Sequence, residues 1–163
     1  MPNTASPVDD SHQRPPMRRP LRWLWLAVAV IVLDLATKYA ASHFLSYAQP
    51  VEVLPFFNLT LLHNTGAAFS FLADHPGWQR WFFTAIALGA SVLILIWLAR
   101  LTAAEKLQGV ALALILGGAL GNFYDRLVLG HVVDFLDFYW GNSHFPAFNI
   151  ADSAITIGAG LIL

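Results

Sequence analysis

The 163-residue chain is 57% hydrophobic and 12% charged, with a mean hydropathy of +0.58 and a formal net charge of −1. Soluble domains carry about 25% charged residues, so this composition excludes an ordinary soluble domain and points to a small integral membrane protein. The near-zero net charge excludes a nucleic-acid-binding face. The absence of cysteine excludes disulfide and thiol chemistry, and six histidines without ligand spacing provide no zinc motif.

Residues 1–20 are polar and carry Pro2, Pro7, Pro15, Pro16 and Pro20, which reads as a disordered tail. Arg14, Arg18, Arg19 and Arg22 cluster before the first apolar run, at about residues 21–41. A basic cluster followed by apolar residues is also the pattern of a secretory signal. Asp34 and Lys38 interrupt the run and more apolar runs follow, so an uncleaved span is the preferred reading. Further spans are expected at about 81–99, 107–124 and 149–163, which makes residues 21–163 a single four-span domain. The last run reaches only about 22 Å by residue 163, short of a ~30 Å hydrocarbon core, so the final helix reads as truncated or as spanning part of the bilayer.

The Arg14–Arg22 cluster and the short loop with Arg100 and Lys106 should both face the cytoplasm. An even number of spans returns the C-terminus to the same side, and segments 42–80 and 125–148 then lie outside. In the first of these, Val51, Val53, Phe57, Leu59 and Leu61 fall at period two around Pro55, as in strands of a small sheet. His63-Asn64-Thr65-Gly66 is a turn signal, after which Ala67–Leu72 resumes an apolar segment. Trp78, Trp81, Tyr139 and Trp140 suit an interfacial belt.

Polar residues inside these apolar stretches are the candidates for chemistry. Asp34 and Lys38, four apart with the acid first, form a favourable helical ion pair. Its plain reading is a structural pair near the outer end with Lys38 snorkelling, and the alternative is a direct catalytic role. Gly117-Gly118-Ala119-Leu120-Gly121 permits close helix contact within the chain. Asn122 and Arg126 share a helix face, and Asp125 beside Arg126 suggests a local salt bridge. Asn122 itself is an expensive polar group that needs a partner.

Gly130 should break the third helix, and the stretch through Asp137 to Trp140 reads as an amphipathic interfacial segment. Asn149 and Asp152, three apart after Pro146, match a capping box at the start of the last helix. Asp134 and Asp152 both sit in apolar surroundings at the mouths of spans, where a carboxylate is costly unless paired or used. Two carboxyls in one site can run hydrolysis without a metal. Spacing alone leaves Asp125, Asp134 and Asp137 open as the partner of Asp152.

Asp34-Leu35-Ala36-Thr37-Lys38, Asn64-Thr65-Gly66-Ala67-Ala68-Phe69-Ser70, Gly121-Asn122-Phe123-Tyr124-Asp125-Arg126, Val132-Val133-Asp134-Phe135 and Phe148-Asn149-Ile150-Ala151-Asp152-Ser153 follow one another in this order. Together they resemble the bacterial lipoprotein signal peptidases (signal peptidase II), aspartyl peptidases of the inner membrane. The resemblance implies a mainly α, integral membrane fold: four transmembrane helices, a small periplasmic β-sheet and a short interfacial helix. It implies Asp134 and Asp152 as the catalytic pair, and Asn64, Asn122, Arg126 and Asn149 as residues that line the site and hold substrate. Asp34 and Lys38 would maintain the site's integrity. The implied substrate is a prolipoprotein signal peptide whose cysteine carries diacylglycerol, cut just before that cysteine. No metal or other cofactor is expected, and membrane lipid is the remaining partner of a monomer. The termini would be cytoplasmic and the site periplasmic. Read without the resemblance, a small proton-coupled transporter is the rival, but a carrier wants ionisable groups near the midplane and these acids crowd one exit. A scaffold built on the glycine-rich third helix gives no reason for Asn122 and Asn149.

Overall fold

The computed structural model describes residues 20–66 and 77–163. The expected N-terminal tail, up to residue 19, and the apolar segment after Gly66 lie outside the described residues. A short 3-10 turn, Pro20–Trp23, leads into α1, Leu24–Phe44. Strands β1 (Val51–Leu54) and β2 (Phe57–Asn64) follow, then α2 (Trp78–Arg100) and α3 (Lys106–Val128). Strands β3 (Val132–Trp140) and β4 (Ser143–His144) precede α4, Ile150–Ile162.

Helices α1, α2 and α3 are each long and apolar enough to cross a membrane. Their outward faces are oily, with Val28, Val32 and Leu33 exposed on α1 and Ile86, Leu93 and Trp97 exposed on α2. Helix α4 is apolar but has 13 residues, a rise of about 20 Å. The segment expected as the fourth span is therefore a helix, shorter than the three that are long enough to cross, and all the observed helix ends lie within a few residues of the expected ones.

Helix α3 is central and packs against α1, α2 and α4. Its glycines permit this. A Cβ on Gly117 would stand 2.7 Å from the Val30 Cβ of α1, one on Gly118 would collide with the Ala151 carbonyl of α4, and one on Gly121 would stand 2.5 Å from an Asp34 oxygen. Lipid is as apolar as leucine, so helices in a bilayer associate through such close packing and polar contacts rather than through the hydrophobic effect. The GxxxG spacing works within the chain, as expected.

The four strands form one antiparallel sheet in the order β1-β2-β3-β4. Register places Leu62 opposite Asp134 and Asn64 opposite Val132, with an irregularity between Leu59 and Leu62. Gly130, at φ +84°, makes the turn from α3 to β3 in a conformation that favours glycine. Ala41, Leu61, Val133 and Phe135 form an apolar cluster that seats the sheet on the end of α1. The segment read as amphipathic and interfacial is instead strand β3, and its first four residues, Val132 to Phe135, are all buried. A strand buried on both faces reads as a continuous apolar run, which hides its period. Among the described residues there is no interfacial helix.

Candidate active site

The site is assembled where the far ends of α1 and α3 meet the start of β3 and the first turn of α4. Asp34 and Lys38 form the expected ion pair, Nζ to Oδ2 at 2.7 Å. The snorkelling expectation fails, because Lys38 is only 3% exposed and turns inward. Its ammonium also lies 2.9 Å from Asp125 Oδ2 and donates to Asn122 Oδ1 at 2.9 Å, both on α3. Three acceptors inside the bundle compete better for the cation than the interface does.

Each carboxylate of this buried cluster then fixes another element. Asp34 Oδ1 accepts from the Ala151 backbone N–H at 2.8 Å, tying α1 to the first turn of α4. Asp125 Oδ2 accepts from the Val133 N–H at 3.1 Å, tying α3 to the residue before Asp134. Asp125 thus pairs with Lys38 rather than with its neighbour Arg126. The Arg126 guanidinium donates to the Asn122 carbonyl at 3.3 Å and lies 5.5 Å from the Phe83 ring centroid.

The capping box forms at the start of α4. Asn149 Oδ1 accepts from the Asp152 N–H at 2.9 Å, and Asp152 Oδ2 accepts from the Asn149 N–H at 3.3 Å. The Asn149 side-chain amide is fully buried. Its Nδ2 donates to Asp134 Oδ1 at 2.8 Å, and lies 3.2 Å from both Asn122 Oδ1 and the Val133 carbonyl. Asn122 Nδ2 donates to Asp152 Oδ1 at 2.7 Å. Asp134 and Asp152 therefore both bond to the same asparagine, one through its side-chain N–H and the other through the capping box. Asn64, at the end of β2, also hydrogen-bonds the Asp134 carboxyl, while its Oδ1 accepts from the Gly66 N–H at 2.8 Å in the expected turn.

Burial pushes the Asp134 carboxyl up to about 7, reinforced by the charge of Asp152 and opposed by the amides of Asn64 and Asn149 and by Lys38. A group poised there can hold or release a proton at neutral pH. Of the acids left open by spacing, only Asp134 joins Asp152. Asp137 faces away, accepting from Thr60 Oγ1 at 2.8 Å and lying 2.7 Å from His144 Nδ1. Burial opposes its ionisation, but those hydrogen bonds leave it below the usual carboxylate range.

Two features had no signal in the sequence. Arg80 of α2 donates to the carbonyls of Arg126 at 2.7 Å and Leu127 at 2.6 Å, closing the end of α3 beside the site. His63 and His131 stack with ring centroids 4.0 Å apart. Burial and the facing His63 hold His131 below its ordinary range. Both are pairings between distant segments, which local pattern does not reveal.

The family model described as "Signal peptidase (SPase) II" matches residues 26–163. The lipoprotein signal peptidase of Aeromonas hydrophila subsp. hydrophila is 58% identical over 144 residues, covering 88% of this chain and 86% of that one. The lipoprotein signal peptidase of Yersinia pestis is 59% identical, covering 88% and 85%. A solved bacterial membrane enzyme, 37% identical, superposes with a TM-score of 0.76 over 86% of this chain and 88% of its own. The chain belongs to the signal peptidase II family of membrane proteases.

Proposed function

We propose that Asp134 and Asp152 are the catalytic pair with which this chain removes the signal peptide from diacylglyceryl-modified prolipoproteins, cutting before the lipidated cysteine. The observation that carries this reading is the convergence of two carboxyls, Asp134 buried and Asp152 partly buried, on the Asn149 amide and capping box, the first of them poised near neutral pH. One carboxyl is ionised and the other protonated. The carboxylate takes a proton from water as the water oxygen bonds to the scissile carbonyl carbon, and the acid's proton passes to the carbonyl oxygen. The resulting gem-diol collapses: the C–N bond breaks, the nitrogen takes the proton first abstracted, and a hydroxyl proton returns to the second carboxylate. The pair ends as it began, and the scheme requires no metal.

Asn64 and Arg126 would hold the peptide backbone at the rim, while Asn122 and Asn149 line the site and hold the carboxyls. Asp34 and Lys38 keep the helices in register beneath them. The bilayer orientation proposed is four spans in one domain, residues 21–163, with α4 as the fourth. The termini are cytoplasmic and the site sits at the periplasmic face of the inner membrane. Arg22, Arg100 and Lys106 favour it, since they gather at the end of the bundle opposite the acids, where Arg22 donates to the Ala103 carbonyl at 3.2 Å. The substrate helix enters as a monomeric enzyme's only protein partner, its acyl chains remaining in lipid.

The test is to incubate the purified chain with a lipidated precursor and with its cysteine-less mutant. Only the first should be shortened, because acyl chains contribute ~0.8 kcal/mol per buried CH₂. Asp134→Asn and Asp152→Asn should each abolish the product while still binding precursor. Turnover by either variant contradicts the pair.

A further inference from the structure

We propose that Lys38 is a positioning residue which, acting through the Asn122 side chain, makes Asp152 the base of the pair and leaves Asp134 as its acid. The proposal rests on the aspartyl reading above and specifies roles within it. An ammonium only donates hydrogen bonds, so the Asn122 atom 2.9 Å from Lys38 Nζ must be the oxygen, and the atom 2.7 Å from Asp152 Oδ1 must be the nitrogen. A backbone N–H also only donates, so the Asp152 N–H fixes Asn149 Oδ1 and turns Asn149 Nδ2 towards Asp134 and Asn122. Neither amide can flip without losing a bond to a group that cannot accept.

The consequence is unequal. Each carboxyl accepts from two N–H groups, Asp134 from the Asn149 and Asn64 amides and Asp152 from Asn122 Nδ2 and the Asn149 backbone, but of these amides it is Asn122 whose oxygen bonds the Lys38 ammonium. Asp152 also stands in the first turn of α4, where the helix dipole favours negative charge. Asp134 lies on a strand between buried Val133 and Phe135, which penalise charge. Water's proton therefore passes to Asp152 as the new C–O bond forms, and the carbonyl oxygen takes the proton held by Asp134. The charged groups around the pair, among the described residues, are Asp34 and Lys38 on α1 and Asp125 and Arg126 on α3. Lys38 is the one among them that bonds to a side chain holding Asp152.

The experiment is the pH dependence of kcat on a lipidated precursor. Asn122→Leu removes the donor to Asp152 at nearly constant volume and adds no charge. The acidic limb should move up by about one pH unit, so that kcat falls about tenfold on that limb. Lys38→Met combined with Asp125→Asn removes the cation without changing the cluster's net charge, and should move the limb in the same direction but by less, since Asn149 Nδ2 still bonds the Asn122 oxygen. Adding Asn122→Leu to that double variant should bring the limb to the position of Asn122→Leu alone and no further. Thermal unfolding verifies the folded state of each; should the double variant not fold, Asn122→Leu alone decides. A loss of kcat at all pH values with an unmoved limb overturns the proposal, as do additive shifts, which would mean that Lys38 acts through its charge alone. Turnover by Asp134→Asn and Asp152→Asn in the same assay would instead overturn the aspartyl reading itself.

Discussion

Asp134→Asn should stabilise the protein at high pH while it abolishes cleavage. Burial, reinforced by the charge of Asp152, raises the Asp134 carboxyl from 3.8 to about 7. Between those values the folded protein keeps a proton that the unfolded chain has released. The unfolded state then binds fewer protons, so stability falls as pH rises through this window. The folded protein is least penalised below pH 4 and carries the whole penalty above pH 7. A gap of about 3 pK units at 1.36 kcal/mol per unit corresponds to at most about 4 kcal/mol. Asparagine carries no charge to bury, and its oxygen can still accept from Asn149 Nδ2 at the position of Asp134 Oδ1. The variant should therefore exceed the parent by roughly 2–4 kcal/mol at about pH 8, with the gain vanishing near pH 4. Thermal unfolding of both proteins in one detergent at the two pH values is the assay. Equal or lower stability of the variant at the higher pH would refute the claim that Asp134 is held at an energetic cost.

Two further expectations follow from packing and placement. Gly121→Ala puts a methyl 2.5 Å from Asp34 Oδ2, and that carboxylate is pinned by Lys38 and the Ala151 N–H; overpacking should cost ~1–3 kcal/mol and reduce cleavage, whereas Gly89→Ala, in open space on α2, should stabilise by roughly 0.5–1 kcal/mol, both read by thermal unfolding. Arg126→Ala should raise KM for the lipidated precursor more than it lowers kcat, and a steady-state titration showing unchanged KM would remove it from the substrate's path.

The span positions were legible because long apolar runs are the strongest signal a sequence carries. The strands at 51–61, the Asn64 turn, the Gly130 break and the Asn149–Asp152 capping box were legible for local reasons: period two, turn chemistry and spacing three. Strand β3 was not, because Val132 to Phe135 are buried on both faces and show no alternation. The direction of Lys38 was not legible either. The i,i+4 spacing identifies Asp34 as a partner, but Asp125 and Asn122, which draw the ammonium inward, lie more than eighty residues away. For the same reason the residues alone left three acids as partners for Asp152. Choosing among them requires knowing that Asp125 is consumed by Lys38 and Val133, and Asp137 by Thr60 and His144.

The polar cluster explains how a small bundle keeps a reactive site in place. Within lipid the hydrophobic effect does not press helices together, so the bundle depends on close packing at glycines and on polar contacts. Both coincide here. Gly121 admits the Asp34 carboxylate between α1 and α3, and that carboxylate binds the first turn of α4. Lys38 joins it to Asp125, and Asp125 holds the start of β3. Each of the two proposed catalytic carboxyls therefore stands within a residue of a backbone N–H fixed by this cluster: Ala151 before Asp152, and Val133 before Asp134. Breaking a buried ion pair by removing one member costs ~3–5 kcal/mol, so loss of Asp34 or Lys38 alone should damage fold and cleavage together. Asp134 is the exception: its hydrogen-bond partners, the Asn149 and Asn64 amides, can donate equally to a neutral oxygen, and among the described residues it forms no ion pair that holds a helix. That asymmetry divides the acids of this site into those that hold the helices and one whose ionisation opposes folding, and only the latter's removal should leave a protein both inert and more stable.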